Sequence, residues 1–104
     1  MENLQAIYDA RQSFYGKAKT EIVKNSNDQT KDLYSYGTLV ASCIHNFIDN
    51  KSTYKITGLY SQTTKRHQKE FFRQAGLSDE EIKDIFKNGE IVKEWEQWKI
   101  IISK

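Results

Sequence analysis

A change in hydrophobic period near residue 60 constrains the fold of this chain more than any other feature. Before that point apolar and polar residues alternate as in half-buried strands, and Phe14, Ala18 and Ile22 are expected to face inward from the first of them. After Tyr60, apolar residues recur every three or four positions, as in amphipathic helices. Because 104 residues make about one domain, the expected fold is a single α+β domain over residues 1–104.

Four strands are expected in the first part of the chain, joined by short polar turns. Their predicted ranges are 14–23, 31–36, 38–47 and 53–59. Short connections favour an antiparallel meander. A short helix over residues 4–12 is expected before the sheet, since its apolar residues have helical spacing. The predicted fold class is an antiparallel sheet of three to four strands, with this N-terminal helix and two to three C-terminal helices packed on one face.

Two of the C-terminal helices have clear boundaries in the sequence. The first is expected to run from Ser61 or Thr63 to Ala75, where Gly76 in a left-handed conformation closes it. The second is expected to run from Ser78 to about residue 87. Ser78 is followed by a glutamate at the spacing of a capping box, and apolar residues on either side are placed to form a hydrophobic staple.

The tail after residue 89 is compatible with two structures. Ile91, Trp95, Trp98 and Ile102 share one helical stripe, whereas Trp98, Ile100 and Ile102 would also suit a strand. We predict a helix to about residue 99 with an extended finish. The three consecutive isoleucines cannot all point inward from one element, so a homodimer contact through the tail is one expectation.

Several classes of function are excluded by what the sequence lacks. The single cysteine, Cys43, cannot form an internal disulfide or a cysteine-based zinc site. No apolar run approaches the roughly 20 residues that span a bilayer, and the first residues lack the pattern of a signal peptide. No phosphate-loop, dinucleotide-binding, zinc-protease or serine-hydrolase motif is present. We therefore expect a cytoplasmic protein with no membrane partner, no cofactor and no metal.

Two sets of residues could still support chemistry, and a structural role is favoured for each. Cys43 and His45 lie two positions apart on one predicted strand, so a thiol–imidazole contact is geometrically allowed, but no third group is evident to orient it. His67, Glu70 and Glu81 have the ligand types of a metal site, although such a trio is common by chance between neighbouring helices. We predict no catalytic residue and no enzyme activity.

The two C-terminal helices carry opposite charge. In the first, Lys65, Lys69 and Arg73 fall on one stripe, with Arg66 beside it, whereas the second begins with a run of acidic residues. The charges could form two solvated faces, the first-turn acids complementing the helix dipole. They could also form a phosphate-binding surface at the hydroxyl-rich helix start, or a surface that docks electrostatically on a host protein. The net charge of only +2 weakens the phosphate interpretation.

Aromatic residues are candidates to extend such a surface. Tyr34 and Tyr36 are predicted on one strand face, and together with Tyr60 they could stack nucleic-acid bases. Trp95 and Trp98 lie one helical turn apart and are candidate anchors of a protein interface. Core packing is the more common role for each of these five residues.

Two parts of the chain resemble a known domain. They contain Tyr-Ser-Tyr at residues 34–36 with the strand after it, and Ser-Gln-Thr-Thr-Lys-Arg-His at 61–67 with Glu-Phe-Phe-Arg-Gln at 70–74. The resemblance is to a domain of small phage and prophage proteins of low-GC Gram-positive bacteria, and it covers about residues 13–75. It implies an origin in a mobile element and a core of sheet and helix. No activity is assigned to that domain, so no residue acquires a catalytic role from it.

The function expected from these observations is non-catalytic. We predict a phage or mobile-element accessory protein that binds and modulates a host or defence macromolecule, for example as an anti-CRISPR-type inhibitor. Lys65, Arg66, Lys69 and Arg73 would contact a host or defence protein, or its complex with nucleic acid, in the cytoplasm of the host cell. The alternative is a small DNA- or RNA-binding regulator that uses the basic helix over residues 61–75.

Overall fold

The computed structural model describes residues 2–4 and 17–94. Six antiparallel strands form one sheet whose spatial order follows the chain order, and two helices separate the fifth strand from the sixth. Helix α1 packs on β3 and β4, and α2 packs on β5 and β6, so the helices form a second layer on the sheet. The elements are β1 (Glu2–Asn3), β2 (Ala18–Lys24), β3 (Asp28–Ser35), β4 (Thr38–Asn46), β5 (Lys51–Ile56), α1 (Gln62–Gln74), α2 (Asp79–Asn88) and β6 (Glu90–Glu94).

The predicted fold class is wrong in its numbers of strands and helices. The described residues form six strands rather than three or four, and two helices, both C-terminal. The strand missed at the N-terminus, Glu2–Asn3, pairs with Lys19 and Thr20 of β2. Two residues are too few to show an alternating pattern, which explains the miss. Residues 5–12 of the expected N-terminal helix lie outside the described residues, as does Phe14.

The other missed strand is β6, in the stretch predicted as a helix. Gly89 ends α2 in a left-handed conformation, with a φ of 92°, and the chain then runs back along β5. Ile91 lies opposite Tyr54 and is half-buried, whereas Val92 is 57% exposed. Strand pairing satisfies the backbone groups at this edge of β5, and adjacent β-branched residues favour it. The helix prediction is therefore wrong for residues 90–94.

The hairpin between β3 and β4 turns at Tyr36 and Gly37, whose φ angles are 52° and 83°. Positive φ at both positions is typical of a type I′ turn. The turn predicted near Gly37 is confirmed, but Tyr36 lies in that turn, so the prediction that it shares a strand face with Tyr34 is wrong. Beyond the turn the pairing register shifts, and Val40 is the extra residue of a β-bulge.

The hydrophobic core lies between the sheet and the two helices. Ala18 faces this core as predicted and is fully buried. The prediction for Ile22 is wrong: it lies on the same side of β2 but is 49% exposed, because the helices pack on the strands from β3 to β6. The buried apolar residues are Leu4, Ala18, Leu33, Val40, Ala41, Tyr54, Phe71, Phe72, Leu77, Ile82 and Ile85.

Both helices begin and end close to their predicted boundaries. The Ser61 side chain accepts a hydrogen bond from the Thr64 N–H at the start of α1. The capping box of Ser78 and Glu81 is present at the start of α2. Gly76 follows α1 with a φ of 93°, which confirms its predicted left-handed conformation. Within the described residues, neither helix is long and apolar enough to cross a membrane.

Candidate functional site

A groove of about 420 Å³ lies between α1 and α2 and is hereafter the cationic groove. Its wall on α1 is the predicted basic stripe, whose members recur every four residues. Its wall on α2 is a second stripe, at the spacing i, i+3, i+4 and i+7. Four cationic side chains and one carboxylate therefore border the groove. The lining residues are Lys65, Lys69 and Arg73 from α1, and Asp79, Ile82, Lys83 and Phe86 from α2.

Arg73 and Asp79 form an ion pair within the lining of the cationic groove. Nη2 of Arg73 donates to Oδ1 of Asp79 at 2.9 Å, across the turn between the helices. The two side chains are 37% and 73% exposed, so water screens the pair and it contributes at most about 1 kcal/mol to stability. Asp79 also lies in the first turn of α2, where negative charge complements the helix dipole. Of the four cations, Arg73 is thus partly neutralised within the chain.

Lys65 lies over the aromatic ring in the cationic groove. Its Nζ is 5.4 Å from the centroid of the Phe86 ring. This distance is within the range of a cation–π contact, which contributes about 0.5–1 kcal/mol at an exposed site. Phe86 is half-buried, and Ile82 beside it is 3% exposed and belongs to the core. The groove therefore has an apolar part, with an ammonium group already positioned above its ring.

The three lysines of the cationic groove form no salt bridge in the described part of the chain, and two of them also lack the ring contact that Lys65 makes. Lys69 on α1 and Lys83 on α2 are exposed, and neither forms a salt bridge with residues 2–4 or 17–94. Their ammonium groups can therefore pair with an external anion. Sequence reasoning missed Lys83 because it lies in an acidic run. Its spacing of four from Asp79 and three from Phe86 was the signal that it shares their helix face.

The remaining acidic residues of α2 do not neutralise the cationic groove. Oε2 of Glu81 lies 2.9 Å from Nζ of Lys93, and the hydrogen bond from this lysine is the largest cause that lowers the pKa of the Glu81 carboxyl. Glu80 and Asp84 are exposed and form no salt bridge with any described residue. They lie beside the groove on α2 rather than in its lining.

None of the other predicted contact residues in the described ranges lines the cationic groove. Arg66 follows Lys65 in the chain but is half-buried on another side of α1. Tyr34 is half-buried on β3, and Tyr60, before α1, is 42% exposed. Trp95 and Trp98 lie outside the described residues, as does the predicted dimer contact of the tail.

The two parts of the chain that carry the resemblance meet in a buried polar network. Oγ of Ser35 lies 3.0 Å from Oγ1 of Thr64 and 2.8 Å from Nδ1 of His67. These residues are 2%, 6% and 0% exposed, in that order. Beside them, the exposed ring of Tyr36 lies 6.0 Å from that of His67 and 5.4 Å from Nζ of Lys17. The network joins the β3–β4 hairpin to α1, which gives these residues a role in holding the fold.

Cys43 and His45 form no thiol–imidazole contact within the described structure. Cys43 lies opposite Tyr54 of β5, and burial is the largest cause that raises its pKa to about 11. Nδ1 of His45 instead lies 2.8 Å from Oγ of Ser52. A thiol that stays protonated at neutral pH is a poor nucleophile, so this pair lacks the arrangement that covalent catalysis requires.

The trio considered for a metal is held by other contacts. His67 belongs to the buried network, and Glu81 pairs with a lysine as described above. Oε2 of Glu70 accepts a hydrogen bond from Nε2 of Gln74 at 2.6 Å. Across residues 2–4 and 17–94, no group of three or more His, Cys, Asp or Glu side chains is placed to hold a metal ion.

Comparison with known families shows a match over most of the chain. Residues 2–88 match the model of a family described as a family of unknown function, DUF8033. No curated protein matches the chain, and no solved structure does. The matched range includes both walls of the cationic groove and the buried polar network, whereas β6 lies beyond it.

Proposed function

We propose that this chain, which belongs to the DUF8033 family of unknown function, is a non-catalytic accessory protein that binds and inhibits a host or defence macromolecule through its cationic groove. The observation that carries the proposal is the cluster of four cations in one groove, of which Lys69 and Lys83 have no ionic partner among the described residues. A cluster of like charge attracts a surface of opposite charge, and an acidic partner surface would complement it.

The mechanism that fits this groove is occlusion. Three of its cations project from α1 and one from α2, and both helices pack on a continuous sheet, so the two helix backbones are held in place before a partner arrives. Binding then orders the lysine side chains but not the backbone that carries them. A partner whose working surface is acidic would be covered by the two helices and kept from its own ligand.

An origin in a phage or another mobile element is part of the proposal. It is supported by the resemblance of residues 13–75 to small phage and prophage proteins. Such a protein would act in the cytoplasm of its bacterial host, and an anti-CRISPR-type inhibitor is the concrete form that we propose. A host or defence protein, alone or with nucleic acid, is the expected partner.

Direct nucleic-acid binding is the second candidate, because the same cations would attract phosphates. It makes a distinct quantitative prediction. DNA affinity should fall as the salt concentration rises. The slope of log affinity against log salt concentration should decrease in magnitude by about one for each of Lys65, Lys69 and Arg73 that is replaced by alanine. Titration of duplex and single-stranded DNA at low salt tests this candidate, and absence of binding would exclude it.

The proposed function is tested by capture from a lysate of a low-GC Gram-positive bacterium. The tagged chain is compared with the double variant Lys69→Glu, Lys83→Glu, with and without nuclease treatment. The matched control is Lys19→Glu, Lys24→Glu, which makes the same change of net charge at exposed positions of β2.

We expect the wild type and the control to capture a protein even after nuclease treatment, and the groove variant to fail to capture it. The activity of the captured protein should then fall when the wild-type chain is added to it. Equal capture by all three chains, or capture with no effect on activity, contradicts the proposal. Capture that disappears with nuclease supports the nucleic-acid candidate instead.

A further inference from the structure

We infer that the cationic groove recognises an acidic α-helical segment of a partner protein, with two carboxylates one turn apart and an apolar side chain between them. The inference rests on the proposed function, because it specifies the chemistry of the partner that the same groove binds. It follows from the spacing of the cations, from the apolar part of the groove and from the acidic residues beside it.

The spacing of the cations on α1 matches the spacing of side chains along one face of a partner helix. Lys65, Lys69 and Arg73 are four residues apart, which corresponds to a rise of about 6 Å for each step. Carboxylates at positions i and i+4 of a partner helix have the same rise. Two acids on such a helix can therefore face two successive cations of α1, while Lys83 approaches from α2.

The apolar part of the cationic groove adds a second requirement. The half-buried Phe86 lies among the cations, beside Ile82 of the core. A free inorganic anion would leave the exposed part of Phe86 in contact with water, whereas a leucine or similar side chain at position i+3 of an acidic helix would cover it. The combination favours an amphipathic acidic segment over a small anion.

Two features disfavour a nucleic acid in the same groove. A base stacks on the whole face of a ring, so it would have to displace Nζ of Lys65, 5.4 Å from the Phe86 ring centroid, whereas an aliphatic side chain needs contact with only part of the ring. The exposed carboxylates of Glu80 and Asp84 lie beside the groove on α2 and would repel a phosphate backbone that continues past it. A short helix that ends its acidic stretch within the groove avoids this repulsion.

A second copy of this chain also carries acids at the required spacing, since Glu80 and Asp84 are four residues apart on α2. Position i+3 of that stripe is Lys83 rather than an apolar residue, and Lys87 follows one turn further on. Such a stripe would place cations against the cationic groove. We therefore favour a different protein as the partner.

The inference is tested with fluorescently labelled helical peptides and the full chain. The matched peptide carries glutamates at i and i+4 with leucine at i+3. The control peptide has the same composition, but its glutamates are two residues apart and so face different directions. Fluorescence anisotropy at low salt should give an affinity for the matched peptide about tenfold higher than for the control peptide. The Lys69→Glu, Lys83→Glu variant should lose about tenfold in affinity, and the Lys19→Glu, Lys24→Glu control should lose none.

Three results would overturn the inference. They are equal affinity for the two peptides, tighter binding of a single-stranded oligonucleotide that depends on the same lysines, and a concentration-dependent dimer in sedimentation velocity that Lys69→Glu, Lys83→Glu dissociates. The proposed function is judged separately. If neither peptide binds but nuclease-resistant capture still depends on Lys69 and Lys83, only the inferred chemistry of the partner fails.

Discussion

The Ser35 hydroxyl oxygen lies 2.8 Å from Nδ1 of His67, in a part of the molecule that solvent does not reach. The two residues are 32 positions apart in the chain, so this contact holds the β3–β4 hairpin against α1. Removal of one partner of a buried hydrogen bond lowers the free energy of unfolding, because the polar group that remains has neither its former partner nor water to bond with. The contact leads to the first prediction.

Replacement of Ser35 by alanine should lower the free energy of unfolding by about 1–3 kcal/mol. The change removes the hydroxyl that bonds Thr64 and His67 and leaves the hairpin turn itself intact. Chemical denaturation monitored by far-UV circular dichroism measures the loss. Ser26→Ala, at an exposed turn position, is the control and should change stability little. If both variants lost the same amount, the buried network would not stabilise the fold.

Glu81 should make the fold sensitive to acid. The pKa of its carboxyl lies below the ordinary 4.5, first because Lys93 donates a hydrogen bond to it and then because the Ser78 N–H does. The unfolded chain therefore takes up this proton at higher pH than the folded one. The stabilisation is complete above about pH 4.5 and is lost as the pH falls through the lower folded value.

Urea denaturation between about pH 7 and about pH 3 measures this dependence. Glu81→Gln should be less stable than the wild type at neutral pH, and the difference should shrink in acid. Asp84→Asn is the control, because Asp84 is exposed, lies beyond the first turn of α2 and forms no salt bridge with the described residues, and it should follow the wild-type profile. A constant difference between Glu81→Gln and the wild type across this range would refute the assignment.

Cys43 should react slowly while the protein is folded. Burial is the main cause that raises its pKa from 9.0 to about 11, which reduces the thiolate fraction near pH 8 about a hundredfold. The rate of reaction with a disulfide reagent should increase strongly when the chain is unfolded in urea. Equal rates in the two states would show that the thiol is neither buried nor perturbed.

Gly37 should be required for the β3–β4 hairpin. Its φ of 83° is strained for any residue with a Cβ, although the space around it is open. Gly37→Ala should therefore cost about 1 kcal/mol in the free energy of unfolding. Gly58→Ala is the control, since it has no positive φ and a Cβ there would meet Tyr60 at an ordinary 3.6 Å. Equal effects of the two variants would contradict the turn assignment.

The parts of the fold that sequence predicted correctly depend on local signals. Ser78 and Glu81 are three residues apart, and their capping box forms with only the residues between them. Strand β6 depends on distant residues instead: Ile91 becomes a strand residue because Tyr54 lies opposite it on β5. The helical spacing of Ile91 in the sequence carried no information about that partner.

Only the part of the candidate site that depends on local spacing was predictable from the sequence. Lys65, Lys69 and Arg73 share a stripe that spacing along one helix reveals. Their grouping with Lys83 depends on how α2 folds back on α1, which no local pattern specifies. The Arg73–Asp79 pair similarly needs the turn between the two helices to bring its members to 2.9 Å.

Lysine footprinting of the complex recovered from the host lysate tests the central claim most directly. The claim is that the cationic groove is the surface that contacts the partner. Acylation of accessible amines, followed by mass spectrometry, should show Lys69 and Lys83 protected in the complex and modified in the free chain. Lys19 and Lys24 should be modified equally in both states. Equal modification of Lys69 and Lys83 with and without the bound partner would contradict the claim.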